Sequence, residues 1–235
     1  MNGKRIANLC LLVGLMGLTA CMVQPQVAGE QPVENGLYQV RQSGMDTALT
    51  HPDANFGAYT KVLLAPLDLS SVHIVQPSLG MGDRPFRLTD EVRSALQTAY
   101  TDMAKKYFVA RGGYELADSA GPGVMTLRGA ITELRPNAPN DSAGSRAGGY
   151  SARSEIYSEG AGDMTVSATL SDSNTEAVLA RFADRRRGSR MWGPNNKVHN
   201  FADVQREFAS WFTQLTSTIK ALEGTADNAV AAPQP

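Results

Sequence analysis

Two cysteines and three histidines are spread over 235 residues. Cys10 lies inside the apolar start of the chain and Cys21 at its end, so nothing after residue 21 can form a disulfide, supply a thiolate nucleophile or build a cysteine metal site. His51, His73 and His199 stand outside any HExxH pattern and away from a second histidine at ligand spacing, so no metal is expected. The chain also lacks a surplus of either charge. With 22 Lys plus Arg against 23 Asp plus Glu its net charge is −1, and no basic excess points to nucleic acid. After residue 23 no apolar run approaches the roughly 20 residues that span a bilayer.

Motifs that carry chemistry are missing as well. The stretch Gly144-Ser145-Arg146-Ala147-Gly148 looks like a nucleophile elbow, but its serine is one place too early. Gly121-Pro122-Gly123 precedes a strand rather than following one and reads as a turn, not a phosphate loop. Asp90-Glu91 and Glu155/Glu159 are the available acid pairs, read as a helix start and a solvated loop. No catalytic residue is assigned, and no cofactor is implied.

What the sequence does have begins at residue 1. Lys4-Arg5, an apolar run over Ile6 to Ala20, and small residues before a break have the form of a secretory signal. Leu18-Thr19-Ala20-Cys21 resembles the bacterial lipobox, which implies cleavage before Cys21 and lipid on its sulfur and freed amine. With about 0.8 kcal/mol per buried methylene, two or three acyl chains hold a protein on a bilayer permanently, and the remainder can be water-soluble. The competing reading, an uncleaved helix over Ile6 to Val23, runs against Asn8, Gly14 and Gly17. Without Lys4 and Arg5 the mature chain carries 20 basic against 23 acidic residues, a charge of −3. Met22, where inner-membrane lipoproteins often carry Asp, leans toward the outer membrane by resemblance to that rule.

With 42% hydrophobic and 19% charged residues the remainder belongs to the globular class, at a length that suits one domain. Residues 1–20 are read as signal, 21–55 as a flexible Gln-, Pro- and Gly-rich linker from the lipidated cysteine, 56–223 as the domain and 224–235 as a disordered tail. Lys61-Val62-Leu63-Leu64-Ala65-Pro66-Leu67 reads as a buried strand. Thr89 caps a helix over 89–108 whose stripe is Val92, Leu96, Ala99, Met103 and Tyr107. Short and long strands follow at Tyr114–Leu116 and Val124–Leu134. Residues 136–162, poor in large apolar groups, read as a mobile loop, with Ile156 and Tyr157 opening the next strand. Met164, Val166, Ala168 and Leu170 alternate with polar residues, Asp172-Ser173-Asn174-Thr175 turns the chain, and Val178, Ala180 and Phe182 return. From Asn200 a last helix carries Val204, Phe208, Trp211, Phe212, Leu215, Ile219 and Leu222. The pattern predicts an α+β fold: a four- to five-stranded antiparallel or mixed sheet with two long helices packed on one face.

The lipobox, the strand Lys61 to Pro66, the helix from Thr89, the strand Leu127 to Leu134, the Asp172–Thr175 turn with Leu179-Ala180 and the helix around Trp211 together resemble the bacterial lipoprotein family known as domain of unknown function 3313. The resemblance implies an envelope location and this fold, and lends no catalytic residue. A glycine usually follows the turn threonine in that pattern, where this chain has Glu176.

One charge feature stands out in the mature, acidic chain: Arg181, Arg185, Arg186, Arg187 and Arg190, running into Trp192. Arginines beside an aromatic anchor suit a contact surface for lipid phosphates, glycan carboxylates or an acidic protein patch, although such runs are most often solvated strand ends. The expectation is a periplasm-facing, lipid-anchored envelope lipoprotein, attached to the membrane through Cys21, that binds or assembles an envelope protein, glycan or lipid without enzymatic activity. The alternatives are an envelope hydrolase acting on glycan or lipid and a structural or stress-related surface lipoprotein.

Overall fold

Period-two alternation produces the centre of the molecule. In the computed structural model, which describes residues 25–28, 31–78, 85–137, 157–194 and 197–231, the strands Val124–Pro136 (β7), Gly162–Asp172 (β9) and Val178–Arg187 (β10) run antiparallel side by side. Their register lines up rows of apolar groups. Leu170 faces Leu127 and Ala180, Ala168 faces Gly129 and Phe182, and Val166 faces Ile131. The signal at residues 1–20, the lipidation site Cys21 and most of the stretch 136–162 fall outside the described residues.

The remaining strands extend this sheet in both directions. In chain order they are β1 (Gln26–Ala28), β2 (Tyr38–Arg41), β3 (Thr47–Thr50), β4 (Lys61–Leu64), β5 (His73–Ile74) and β6 (Glu115–Ala117). The order across the sheet is β1-β2-β3-β10-β9-β7-β4-β6, antiparallel from β1 to β7 and parallel beyond, with β5 alongside β7. Two further strands, β8 (Tyr157–Glu159) and β11 (Trp192–Pro194), form a separate antiparallel ribbon.

The sheet is therefore nine-stranded and mixed, larger than the four to five strands that the sequence pattern predicts. Part of the difference comes from the stretch 21–55 expected as linker: β3 pairs with β10, Ala180 opposite Thr50, and Leu37, Val40, Ala48 and Leu49 are buried. These strands are three or four residues long, too short for a readable period, and β3 finds its partner about 130 residues downstream. Tyr157 belongs to β8, which pairs with β11 instead of opening β9.

Two helices cover the apolar face. Helix α1 (Asp90–Met103) starts where Thr89 Oγ1 accepts a hydrogen bond from Val92 N at 3.4 Å, with Asp90 and Glu91 in its positive first turn. Its last turns widen into a π-helical segment, Ala104–Ala110, that buries Phe108 and Val109. Helix α2 (Lys197–Ala231) starts ahead of Asn200 and continues beyond Glu223, where the sequence pattern placed the start of a disordered tail. Tyr100 joins the layers. A Cβ on Gly129 of β7 would lie 2.6 Å from its ring, so the glycine admits the ring close against the strand, while the same ring meets Phe208 and Phe212 of α2 at centroid distances of 5.8 and 5.5 Å. The expected core residues Phe208, Trp211, Phe212, Leu215 and Ile219 are fully buried there.

The β9–β10 hairpin closes through Asp172, whose Oδ1 accepts from Asn174 N, Thr175 N and Thr175 Oγ1 at 2.8–3.0 Å and whose Oδ2 accepts from Tyr59 Oη. Those donors hold the Asp172 carboxyl below its usual range. Glu176, next in the turn, has φ +59°, the left-handed conformation in which a glycine is at ease.

Candidate functional site

Alternation along β10 decides where each arginine goes. Ala180, Phe182, Asp184 and Arg186 point to the helix side, and Arg181, Arg185 and Arg187 to the outer face of the sheet. Arg181 pairs with Glu34. Arg185 Nη2 lies 2.5 Å from Asp163 Oδ2 on β9, and its backbone N–H donates to Asp46 Oδ2 at 2.9 Å. Arg186 enters the interior, with Nη2 2.5 Å from Asp184 Oδ2 and Nη1 donating to Ser210 Oγ of α2 at 3.4 Å. Burial raises the Asp184 carboxyl above its usual range in spite of the opposing pull of Arg186. Arg187 and Arg190, by contrast, are exposed, and among the described residues their guanidinium groups have no partner.

The six residues proposed from sequence as one surface thus divide. Arg181, Arg185 and Arg186 are each neutralised by a specific acid, and Arg181 stands toward the far end of the strand. Arg187, Arg190 and Trp192 remain together at the C-terminal end of β10 and along the segment that follows it. Trp192 is 69% exposed and its neighbour Met191 79%. Trp192 is held on the β8–β11 ribbon, opposite Glu159.

Beside this end lies a feature that the sequence reading missed. A cleft of about 460 Å³ opens between the last residues of β10, with the loop Gly188-Ser189, and the face of α2 carrying Asp203, Arg206, Glu207 and Ser210. Asp203 is buried, with Oδ2 accepting from Ala161 N at 2.9 Å and Oδ1 against the Arg206 guanidinium. Glu207 is 6% exposed and has neither hydrogen bond nor ion pair among the described residues. Burial, with a smaller push from Asp163, drives its pKa up to about 8 against a weaker pull from Arg206. Two glycines allow this packing. Gly162, at φ +125°, brings its backbone against Arg135 O, and Gly188 leaves Glu207 Oε1 only 3.1 Å from where a Cβ would stand. A signal was present in the sequence: Asp203 and Glu207 lie beside the apolar stripe of α2, eight and four residues before Trp211, and Asp184 occupies an inward place on β10.

The site is rich in charge but not in metal ligands. Among the described residues no group of three or more histidine, cysteine or acidic side chains converges to hold an ion. Of the earlier acid pairs, Asp90 and Glu91 start α1 as expected, Glu159 lies on β8, and Glu155 is outside the described residues. Among the described residues no helix is long and apolar enough to cross a membrane.

A family model described as a protein of unknown function, DUF3313, matches residues 35–215. No curated protein matches the chain. Solved structures similar to it include a PelC dodecamer from Paraburkholderia phytofirmans, 13% identical, TM-score 0.34, covering 67% of this chain and 89% of that one. A minor lipoprotein from Acinetobacter baumannii is 13% identical at TM-score 0.31, over 69% of this chain and 94% of that one. A putative lipoprotein from Caulobacter crescentus is 13% identical at TM-score 0.24, over 71% and 96%.

Proposed function

We propose, from the premise that this chain belongs to the DUF3313 family of proteins of unknown function, that it is a lipid-anchored envelope protein that binds another envelope component without catalysing a reaction. The lipobox ending at Cys21 supports the anchor, and Met22 supports the outer membrane, facing the periplasm. The observation that carries the binding role is the exposed pair Met191-Trp192 beside the unpaired Arg187 and Arg190. Large apolar side chains held in water cost free energy, and an aromatic anchor ringed by cations is the composition of a contact centre. Arginine forks suit phosphate and carboxylate groups on lipid, glycan or protein.

Crosslinking in intact cells, followed by purification and mass spectrometry, tests the reading. A partner captured by the native chain and lost both in Cys21→Ser and in the Arg187→Ala/Arg190→Ala/Trp192→Ala variant supports it. Capture that survives the triple variant would remove this surface from consideration, and a Cys21→Ser form that keeps mature size and membrane fractionation would remove the anchor.

A further inference from the structure

Strand direction puts the start of the folded chain and the exposed tryptophan at one end of the molecule. Strand β1 begins at Gln26, opposite Arg41, where β2 ends. The loop after Arg41 leads to Asp46, whose N–H donates to Asp184 Oδ1 and whose Oδ2 accepts from Arg185 N, and β3 then starts at Thr47 beside Ala183. Residues ahead of Gln26 therefore leave the sheet at the end where β10 finishes with Arg187. Across the order β1-β2-β3-β10 the two exits lie three strand spacings apart, about 14 Å. Cys21 is five residues ahead of Gln26. An acyl chain there brings this end to the bilayer, with the Glu176 turn at the opposite one.

The side chains at this end suit a membrane interface. Met191, Trp192 and Val198 are the most exposed large apolar side chains among the described residues. Val198 is in the first turn of α2, and Asp203, little more than one turn on, accepts from Ala161 N beside the β8–β11 ribbon that carries Trp192. Arg41, Arg187 and Arg190 are exposed here, and among the described residues their guanidinium groups have no partner. Glu159, opposite Trp192, and Asp46 are the exposed acids here without an ion pair among the described residues, so one positive charge is in surplus.

Resting on the lipid anchor and the contact surface proposed above, we infer that the partner of that surface is the bilayer itself. Trp192, Met191 and Val198 sit at the boundary between headgroups and acyl chains, and Arg41, Arg187 and Arg190 donate to lipid phosphates. Tryptophan settles at that boundary because its ring is apolar and its one N–H finds an acceptor there. Arginine lays its stem along apolar surface and carries its fork to phosphate. The tether turns this contact into an intramolecular one, at an effective concentration that a free partner would have to exceed.

The test reads tryptophan emission from the lipidated full chain in vesicles of phosphatidylethanolamine and phosphatidylglycerol, with and without lipid brominated on its acyl chains. Trp211 is fully buried, so contact quenching reports Trp192. Brominated lipid is expected to quench the native chain and to leave Trp192→Phe unquenched, and the Arg41→Ala/Arg187→Ala/Arg190→Ala variant is expected to lose part of the quenching. All four side chains are exposed, so these variants keep the fold. Flotation of the same samples separates the two readings. A chain that floats with the vesicles and is not quenched keeps its anchor and overturns the inference, leaving the surface to a protein or glycan. Quenching that persists in Trp192→Phe overturns it as well. A chain that does not float has no anchor, and the inference falls with it.

Discussion

Asp184 and Arg186 stand two residues apart on β10, both turned inward, and their side chains meet at 2.5 Å beneath α2. Removing one partner of a buried pair leaves an uncompensated charge, whereas replacing both by apolar groups is often nearly neutral. Asp184→Ala is therefore expected to cost about 3–5 kcal/mol by urea denaturation, the more so because Asp184 Oδ1 also accepts from Asp46 N. Asp184→Leu combined with Arg186→Met should recover most of that loss. Full additivity of the two single variants would contradict the pairing.

Glu207 makes stability depend on pH in a direction opposite to ordinary acid denaturation. In the unfolded chain its carboxyl ionises near 4.5, and in the folded chain near 8. Between those values the folded state holds a proton that the unfolded state has released, so stability falls as pH rises, by about 1.4 kcal/mol per pH unit at full effect. The urea midpoint should drop from pH 5 to pH 8 and then level off. In Glu207→Gln that slope should vanish.

The turn between β9 and β10 carries avoidable strain at Glu176, with φ +59°. A left-handed residue other than glycine costs roughly 1–2 kcal/mol, only partly offset by the exposed ion pair with Arg128 at 3.7 Å. Glu176→Gly should raise the thermal midpoint by a few degrees in calorimetry. A lower midpoint would mean that the turn does not hold this conformation in solution.

The two tryptophans should separate optically. Trp211 is fully buried and Trp192 is 69% exposed. Acrylamide should quench one emission component and spare the other, and Trp192→Phe should leave only the protected, blue-shifted one. Two equally quenched tryptophans would contradict the placement of α2.

The elements that the sequence disclosed are those whose period outlasts their ends. The alternation of β9, the stripe of α1 after Thr89 and the wide stripe of α2 each repeat often enough to be read without a partner. Strands β2 and β3 do not: Leu37, Val40 and Leu49 are sparse, and their burial depends on β10, far along the chain. The arginine run shows a different loss. Read as a block it looks like one basic patch, but β10 alternates, sending Arg186 inward and its neighbours outward, where acids from β9 and the N-terminal segment neutralise Arg185 and Arg181. The cleft is legible only in hindsight, because an acid beside a helix stripe gains meaning once the facing strand is known.

The pairing of β1 with β2, Val27 opposite Val40, changes what an acyl chain on Cys21 would do. A free leash from residue 21 to 55 could reach about 110 Å when extended, whereas five residues from Cys21 to Gln26 reach at most about 18 Å. The sheet edge would then stay within about 18 Å of the bilayer, and the domain would range over a far smaller height above the membrane than on a free leash. Partners would meet it from a restricted range of directions, chosen by the fold and not by diffusion of a tether.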